Sequence, residues 1–209
     1  MERNNYEQMR DQMRPSFLTY DQQVMIRKFA LKHDENYLYI RFCARYYRIG
    51  RTTGIVEWSD DHFQTCTEGD FNESMTLYDV LCNSRPDCRL SGEFALSSSL
   101  KGIAYTGMNA GSAMGSNKTA EYFDAHIHRL EQACIAMGGT PEGKGDLAFR
   151  IPVFDFLPVQ FSFWRADEDF PAEIRILWDT NVLHFMHFET LFYAAGHLLA
   201  RMAEWIRRS

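Results

Sequence analysis

The most regular pattern of hydrophobic and polar positions lies in the last third of the chain. Apolar and polar residues alternate over residues 147–153, 158–164 and 173–179, and this alternation predicts three β-strands. Residues 187–207 carry apolar side chains at every third or fourth position, which predicts a long amphipathic helix. Helices and strands do not alternate along the chain as a doubly wound fold requires. We therefore expect an α+β fold with a mainly antiparallel sheet, helices packed on it and a long C-terminal helix.

Weaker patterns predict further elements in the first half of the chain. Asp21 is a suitable N-cap for a helix over about residues 21–32. Apolar and polar positions then alternate over residues 37–58, with Gly50 and Gly54 as breaks, and this predicts a hairpin or a small meander.

Two more helices are predicted in the middle of the chain. Ser74 can cap a short helix that ends before Pro86. Thr119 can open a helix that presents apolar residues on one face as far as Met137. Between them, residues 104–118 are rich in glycine, serine, alanine and asparagine, a composition typical of a mobile loop.

Length and composition indicate one domain. The chain has 209 residues, of which 45% are hydrophobic and 24% charged, proportions that are usual for a globular protein able to bury a core without disulfides or metals. Residues 1–16 offer no apolar face and are predicted to form a disordered tail. Residues 17–209 are then expected to form a single α+β domain.

Charge and cysteine usage limit the location and the partners. The sequence opens without a secretory signal and contains no apolar run of about 20 residues that could span a bilayer. Its five cysteines are odd in number and fit no disulfide framework, which favours the cytoplasm. A net charge of −6 argues against general binding to nucleic acids or anionic membranes. We expect a cytoplasmic protein whose partner is a small molecule or another protein.

The densest group of candidate functional residues lies between the second and third C-terminal strands. Four carboxylates within seven residues form this group: Asp167, Glu168, Asp169 and Glu173. Oxygen ligands of this kind suit Mg²⁺ and Ca²⁺, so one hypothesis is a metal-assisted hydrolase that uses residues 167–169, here called the acidic turn, with Asp179 nearby. The favoured interpretation is a solvated turn whose aspartates accept hydrogen bonds from turn N–H groups, because no catalytic partner is fixed by the pattern.

Metal and cofactor sites of other kinds are not predicted. The histidines and cysteines lack the spacing of zinc or iron–sulfur ligands, and Cys82 and Cys88 have no second pair to complete a four-ligand set. We therefore expect no bound metal and no cofactor.

RNA or nucleotide binding is a second alternative. The predicted hairpin places four arginines among aromatic residues: Arg41, Arg45, Arg48 and Arg51. Such a surface can stack on bases and hold phosphates. The glycine-rich loop also leads into a helix, as phosphate-binding loops do, but it lacks the Walker A spacing. A solvated hairpin face and a flexible linker remain the favoured interpretations because the chain is acidic overall.

A motif in the C-terminal third points to a family. Residues 163–171 have the pattern Phe-Trp-x-x-Asp-Glu-Asp-Phe-Pro, preceded by Ile-Pro-Val at 151–153 and followed by Leu-Trp-Asp at 177–179. With Leu-Tyr-x-x-Leu at 77–81 and Gly92-Glu93 upstream, the chain resembles the domain-of-unknown-function family 3786 over about residues 20–206. This family occurs in bacteria and archaea, mostly anaerobes. The chain has Asp169 and Trp178 where the family pattern has Glu and Phe.

The resemblance implies an accessory role in anaerobic one-carbon or redox metabolism. Some relatives are joined to an iron–sulfur domain of the kind found in corrinoid proteins, but this chain lacks the four-cysteine segment. The acidic turn and Asp179 are the candidate site positions that the resemblance transfers. The leading hypothesis is a non-catalytic binding or accessory module in anaerobic bacterial metabolism.

Overall fold

A computed structural model describes residues 5–101 and 117–208, and within these ranges it contains six α-helices and a sheet of ten strands. The helices are α1 (Asn5–Leu18), α2 (Gln22–Phe29), α3 (Phe71–Asn83), α4 (Asn117–Asp124), α5 (Ile127–Ala136) and α6 (Phe188–Arg208). The strands are β1 (Lys32–His33), β2 (Tyr37–Phe42), β3 (Arg45–Gly50), β4 (Val56–Ser59), β5 (Thr67–Glu68), β6 (Phe94–Leu96), β7 (Thr140–Pro141), β8 (Leu147–Phe154), β9 (Leu157–Trp164) and β10 (Glu173–Asp179). No helix in the described ranges is both long enough and apolar enough to cross a membrane.

The sheet consists of two antiparallel meanders joined at one point. Its strand order is β5-β4-β3-β2-β8-β9-β10-β6, with β1 beside β2 and β7 beside β8. The meanders meet where Phe42 pairs with Phe154. Both residues are the last of their strands, so β2 and β8 overlap only at their C-terminal ends and extend in opposite directions. This junction, called the seam below, is reinforced by the Cys43 N–H, which donates to the carbonyl of Val153 at 2.8 Å.

The C-terminal meander agrees with the sequence pattern. Strands β8, β9 and β10 coincide with the predicted strands, and Phe161 pairs with both Phe149 and Ile176 in one buried layer. Strict alternation fixes this register, because a slip by one residue would turn every apolar side chain to solvent. The α+β class with a mainly antiparallel sheet and a long C-terminal helix is confirmed.

Helix α6 covers the seam from the core side. Its buried stripe includes the small Ala194 and Ala195. The His197 ring stacks on Phe42 with 4.7 Å between centroids, and Phe42 stacks on Phe154 at 4.8 Å. Phe192, which the pattern places on the buried face, is only partly buried. The apolar face of α6 therefore rests on the point where the two meanders meet.

The start of one helix differs from the sequence prediction. The N-cap of α3 is Asp70 rather than Ser74, because Asp70 accepts from the Glu73 N–H at 2.8 Å while the Glu73 carboxylate accepts from the Asp70 N–H at 2.7 Å. This reciprocal capping box satisfies two helix N–H groups that Ser74 would leave unpaired. The N-cap of α2 is Asp21, as predicted.

The helix predicted over 119–137 is interrupted. It forms α4 and α5 with a break at His126, whose Nδ1 bonds to the Tyr122 carbonyl at 2.8 Å. A side chain that occupies the carbonyl four residues back competes with the helical N–H, and the His126 N–H turns to Phe123 instead. The glycine-rich stretch 104–118, which the sequence compares with a phosphate-binding loop, lies outside the described residues except for its last two, which begin α4.

Helix α1 occupies the stretch for which the sequence predicted a disordered tail. Residues Asn5–Leu18 are helical, and Phe17 is fully buried with its ring 5.7 Å from that of Tyr78. Arg14 donates to Glu68 at 2.6 Å, which ties the helix to β5. Ion pairs rather than an apolar stripe hold most of α1, so periodicity does not reveal it. Gly54, at φ +70, permits the close approach of the α1 backbone.

We predict contrasting effects for two phenylalanine truncations. Phe161 is 0% exposed and Phe170 is 70% exposed. Phe161→Ala should lower the free energy of unfolding by about 3–5 kcal/mol, because the buried ring is lost and a cavity remains. Phe170→Ala, the control, should change it by less than ~0.5 kcal/mol. Denaturant titration of both variants provides the measurement, and equal effects would contradict the described packing.

Candidate functional site

The acidic turn lies at the exposed tip of the β9–β10 hairpin. The Asp167 carboxylate accepts from the N–H groups of Asp169 and Phe170, at 2.9 and 2.7 Å. The Asp167 N–H in turn donates to the Phe170 carbonyl at 2.9 Å. One of the three candidate carboxylates is therefore used to shape the turn itself. A hydrolase at this position would have to rely on exposed carboxylates.

Asp179 lies at the opposite end of β10 and is fully buried. Its carboxylate accepts hydrogen bonds from four groups: the N–H and Oγ of Ser91 and the N–H groups of Gly92 and Asn181. With a rise of about 3.3 Å per residue, it lies roughly 20 Å along the strand from Glu173. The structure therefore does not bring Asp179 to the acidic turn. It uses Asp179 to anchor the turn at 91–92, where Gly92 has φ +82.

Metal-ligating side chains do not converge in the described part of the chain. No three His, Cys, Asp or Glu side chains within residues 5–101 and 117–208 are placed so that they could hold one ion.

The four hairpin arginines have different environments. Arg45 is 5% exposed and its guanidinium lies 3.5 Å from the centre of the Trp58 ring on the core side. Arg48 is bonded to Glu57 at 2.8 Å, and Arg51 to Gln22 at 3.0 Å. Internal contacts therefore occupy these three side chains. Arg41 differs because it borders a cavity.

Two adjoining cavities lie beside the seam and together are called the seam groove. The first encloses about 220 Å³ between α2, β1, β2 and the β8–β9 turn, and the second about 330 Å³ between β8, β9 and the turn that follows α5. Asp155 and Phe156, which form the β8–β9 turn, line both cavities. Ligand sites in proteins usually begin at about 300 Å³, so the groove is large enough for a small molecule.

Basic side chains predominate among the charged residues that line the seam groove. Lys32 and Arg41 line the first cavity and Arg150 lines the second, whereas Asp155 is the acidic residue of the lining. Arg41 Nη1 donates to Asp155 at 3.2 Å, and Arg150 lies 3.8 Å from Glu142. Because the chain as a whole carries a charge of −6, this concentration of cations is a local reversal of its charge.

Aromatic rings form the wall of the first cavity. Phe156 stacks on Phe29 with 4.2 Å between centroids and on Phe154 at 5.2 Å, which fixes its orientation. Tyr46 faces Arg41 across the β2–β3 pair and is 57% exposed. A ring beside a guanidinium is an arrangement suited to a flat, negatively charged ligand.

Close backbone approach positions Arg41. A Cβ at Gly138 would lie 3.4 Å from Nη2 of Arg41 and 3.4 Å from the Pro152 side chain. Gly138 has φ +83, a conformation that favours glycine. The turn after α5 thus brings its backbone against the guanidinium and connects the two cavities.

A third cavity, of about 670 Å³, lies between α1, α3 and α6. Its carboxylates include Glu68 and Asp70. Glu68 pairs with Arg10 at 2.5 Å and with Arg14 at 2.6 Å, and Asp70 caps α3. The polar groups of this cavity are therefore largely explained by the packing of α1 and α3.

A buried polar cluster, called the Glu73 network, lies between β3, α3 and α6. Tyr47 Oη donates to Glu73 Oε1 at 2.7 Å and lies 3.0 Å from His197 Nε2. Because the Tyr47 hydroxyl donates its proton to Glu73, the Nε2–H of His197 must donate the hydrogen bond between His197 and Tyr47. Arg45 Nη1 lies 3.8 Å from Glu73 Oε1 and completes the network. It was not predicted, because its members are far apart in sequence and resemble no motif.

Burial controls protonation in the Glu73 network. Burial, together with the charges of Arg201 and Arg45, lowers the pKa of His197 to about 3, so its imidazole is neutral. Burial raises the pKa of Glu73, against the opposing effects of its hydrogen bonds from Tyr47 and Asp70. The network is closed off from solvent and serves as a brace rather than as an open site.

A second pair, Asp79 and His187, joins α3 to the start of α6. The Asp79 carboxylate accepts from the backbone N–H and Nδ1 of His187, at 2.7 and 2.5 Å, and from Thr190 Oγ1 at 2.6 Å. Burial would raise the pKa of Asp79, but the hydrogen bonds from Thr190, Asn83 and His187 together lower it. An anion at the N-terminus of α6 stabilises that helix, which explains this pair structurally.

We predict that Asp179 and Asp169, both candidate site residues, differ sharply in their contribution to stability. Asp179→Asn places an amide against backbone donors, so at least one buried N–H loses its partner, and the variant should lose about 2 kcal/mol or more. Asp169→Asn, at the exposed tip, should change stability by less than ~0.5 kcal/mol. Thermal and denaturant unfolding measure both. A neutral Asp179→Asn would contradict the anchoring role.

We also predict that His197 contributes to acid sensitivity. An unfolded histidine takes up its proton near pH 6.5, whereas folded His197 does so only near pH 3. Between these values acid favours the unfolded chain, by up to about 1.4 kcal/mol per pH unit for one proton. His197→Gln, which retains a donor toward Tyr47, should show a shallower fall in stability from pH 6.5 to pH 4. Identical slopes for wild type and variant would show that His197 is not held neutral.

Comparison with known proteins identifies a family without an assigned activity. A family model described as a domain of unknown function (DUF3786) matches residues 21–201. No curated protein and no solved structure matches the chain. The matched region extends from the N-cap of α2 into α6 and includes every residue of the seam groove and of the Glu73 network. The chain therefore belongs to the DUF3786 family.

Proposed function

We propose that this protein is a binding module that takes a small anionic ligand in the seam groove. The observation that carries the proposal is the lining of the groove, where Lys32, Arg41 and Arg150 are opposed by Asp155. In an acidic protein, cations gathered around a cavity favour a negatively charged ligand over a neutral one.

The donors of the groove retain capacity for a ligand. Within the described residues, the Arg41 side chain hydrogen-bonds to Asp155 through Nη1, which leaves Nε and Nη2 for another acceptor. Lys32 makes no side-chain hydrogen bond with the described residues. Arg150 makes none either, but its guanidinium lies over the Phe94 ring at 5.3 Å and 3.8 Å from Glu142, so its remaining donors are the ones open to a ligand. Guanidinium groups bind carboxylate and phosphate oxygens in pairs, so Arg41 and Arg150 are the main candidate ligand contacts.

The groove is better suited to binding than to catalysis. Its polar lining consists of Lys32, Tyr39, Arg41, Tyr46, Thr140, Arg150 and Asp155. A nucleophile paired with a general base, which covalent catalysis requires, is not among these side chains. This supports the role of a non-catalytic accessory module. We place it in the cytoplasm because of its cysteine usage, and in anaerobic bacterial metabolism because of the family resemblance.

We predict that inorganic pyrophosphate, used as a probe in magnesium-free buffer of low ionic strength, binds the groove. Arg41→Gln and Arg150→Gln should each weaken its binding about tenfold, because each removes a charged hydrogen-bond donor. Arg175→Gln is the matched control, since Arg175 is an exposed arginine on the acidic-turn hairpin that pairs with Glu173 at 2.7 Å. Isothermal titration calorimetry measures the affinities.

The control separates site binding from general attraction. If all three variants weaken pyrophosphate binding equally, the probe responds to overall charge and the groove is not the site. Unchanged binding in Arg41→Gln and Arg150→Gln would likewise contradict the proposal.

A further inference from the structure

Resting on the proposed function, we infer that the ligand of the seam groove is a mononucleotide, with its base in the first cavity and its phosphate between Arg41 and Arg150. Such a ligand carries a planar ring in addition to the anionic group already proposed. This assignment depends on the aromatic wall of the first cavity, which the anion proposal does not use.

Tyr46 is the first observation. Tyr46 is 57% exposed although its strand, β3, lies between β2 and β4 in the sheet. Its side chain borders the first cavity. Tyr46 pairs directly with Arg41 across the strands, so the two side chains stand next to each other on one face. A base stacked on Tyr46 would place its attached sugar phosphate within reach of the guanidinium.

Phe156 is the second observation. Its ring lines both cavities and is held between Phe29 and Phe154, at centroid distances of 4.2 and 5.2 Å. Because stacked rings lie against it, Phe156 presents its edge rather than a face to the cavities, and its position is fixed before a ligand enters. Tyr46 thus provides the face on which a base can stack, and the edge of Phe156 bounds the same cavity.

The second cavity has a different character. Thr140 and Arg150 provide hydroxyl and guanidinium donors there, and Pro152 and Pro158 bound the cavity together with Phe156. The groove therefore passes from an aromatic part through Arg41 to a polar, basic part. The base, sugar and phosphate of a mononucleotide are linked in the same order, so each would face the matching part of the groove.

The extent of the basic surface favours a mononucleotide over an RNA strand. A single strand requires a positively charged track that follows its backbone over several nucleotides. Arg45, Arg48 and Arg51 would have to extend such a track from Arg41, but each is engaged with a partner inside the protein. Of the four hairpin arginines, Arg41 is the one that borders the groove.

The experiment compares three probes that divide the ligand into its parts: AMP, adenosine and ribose 5-phosphate. AMP should bind at least tenfold more tightly than either of the others, because only AMP fills both parts of the groove. Calorimetry in the same buffer gives the affinities.

Variants assign each part of the ligand to a side chain. Tyr46→Ala should weaken AMP about tenfold, the size of one base-stacking contact, and leave ribose 5-phosphate unchanged. Tyr46→Phe, which keeps the ring, should bind AMP as the wild type does. Arg41→Gln should weaken AMP and ribose 5-phosphate but not adenosine. Tyr20→Ala is the control, since Tyr20 is an exposed tyrosine outside the groove.

The outcomes separate this inference from the proposed function. If ribose 5-phosphate binds as tightly as AMP, and Arg41→Gln weakens both, the anion site stands and the nucleotide inference is wrong. If AMP and ribose 5-phosphate both fail to bind, the nucleotide inference is wrong, and the pyrophosphate titration alone decides the anion site. Tighter binding of a ten-nucleotide oligoadenylate than of AMP, by more than tenfold, would replace the mononucleotide with RNA.

Discussion

The carboxylate of Glu73 is the interaction on which the arrangement of the helices and the sheet depends. One of its oxygens completes the cap of α3 by accepting from the Asp70 N–H, while the other accepts from Tyr47 of β3. Arg45 and His197 lie within 4 Å of the second oxygen, so α6 is drawn to the same point. A buried carboxylate without these partners would be strongly unfavourable, and a buried arginine without the carboxylate equally so. The polar cluster therefore fixes how α3 and α6 sit on the sheet.

Local sequence pattern predicted those parts of the fold in which burial is periodic. Strands β8 to β10 and helix α6 each bury one face of a regular element, and the side chains alone report which face that is. Helix α1 has no such face, because Arg10 and Arg14 hold it through Glu68 and the Gly69 carbonyl. The break at His126 escaped prediction for a related reason, since it depends on one side chain competing for a carbonyl. Both features depend on individual polar contacts, which leave no period in the sequence.

Candidate functional residues were harder to predict than helices and strands, because residues of the same type lie in different environments in the folded protein. Asp167 and Asp179 look alike as aspartates near the ends of β10, yet one shapes an exposed turn and the other is buried under four donors. The arginines of the hairpin are equivalent in sequence, but only tertiary contacts reveal that Arg41 borders a cavity while Arg45 lies beneath Trp58. The groove itself is assembled from residues more than a hundred positions apart, and its shape exists only after the meanders join.

The seam gives the molecule a mechanical property. A sheet whose halves share a single residue pair has little backbone bonding to resist bending at that point, so relative rotation of the two meanders should concentrate there. Arg41 belongs to one meander and Arg150 to the other. Any molecule that binds both side chains would link the two meanders and restrict their relative rotation. Occupancy of the groove would then be communicated to the rest of the protein as rigidity, and a partner that recognises the relative orientation of the two halves could sense whether the groove is filled.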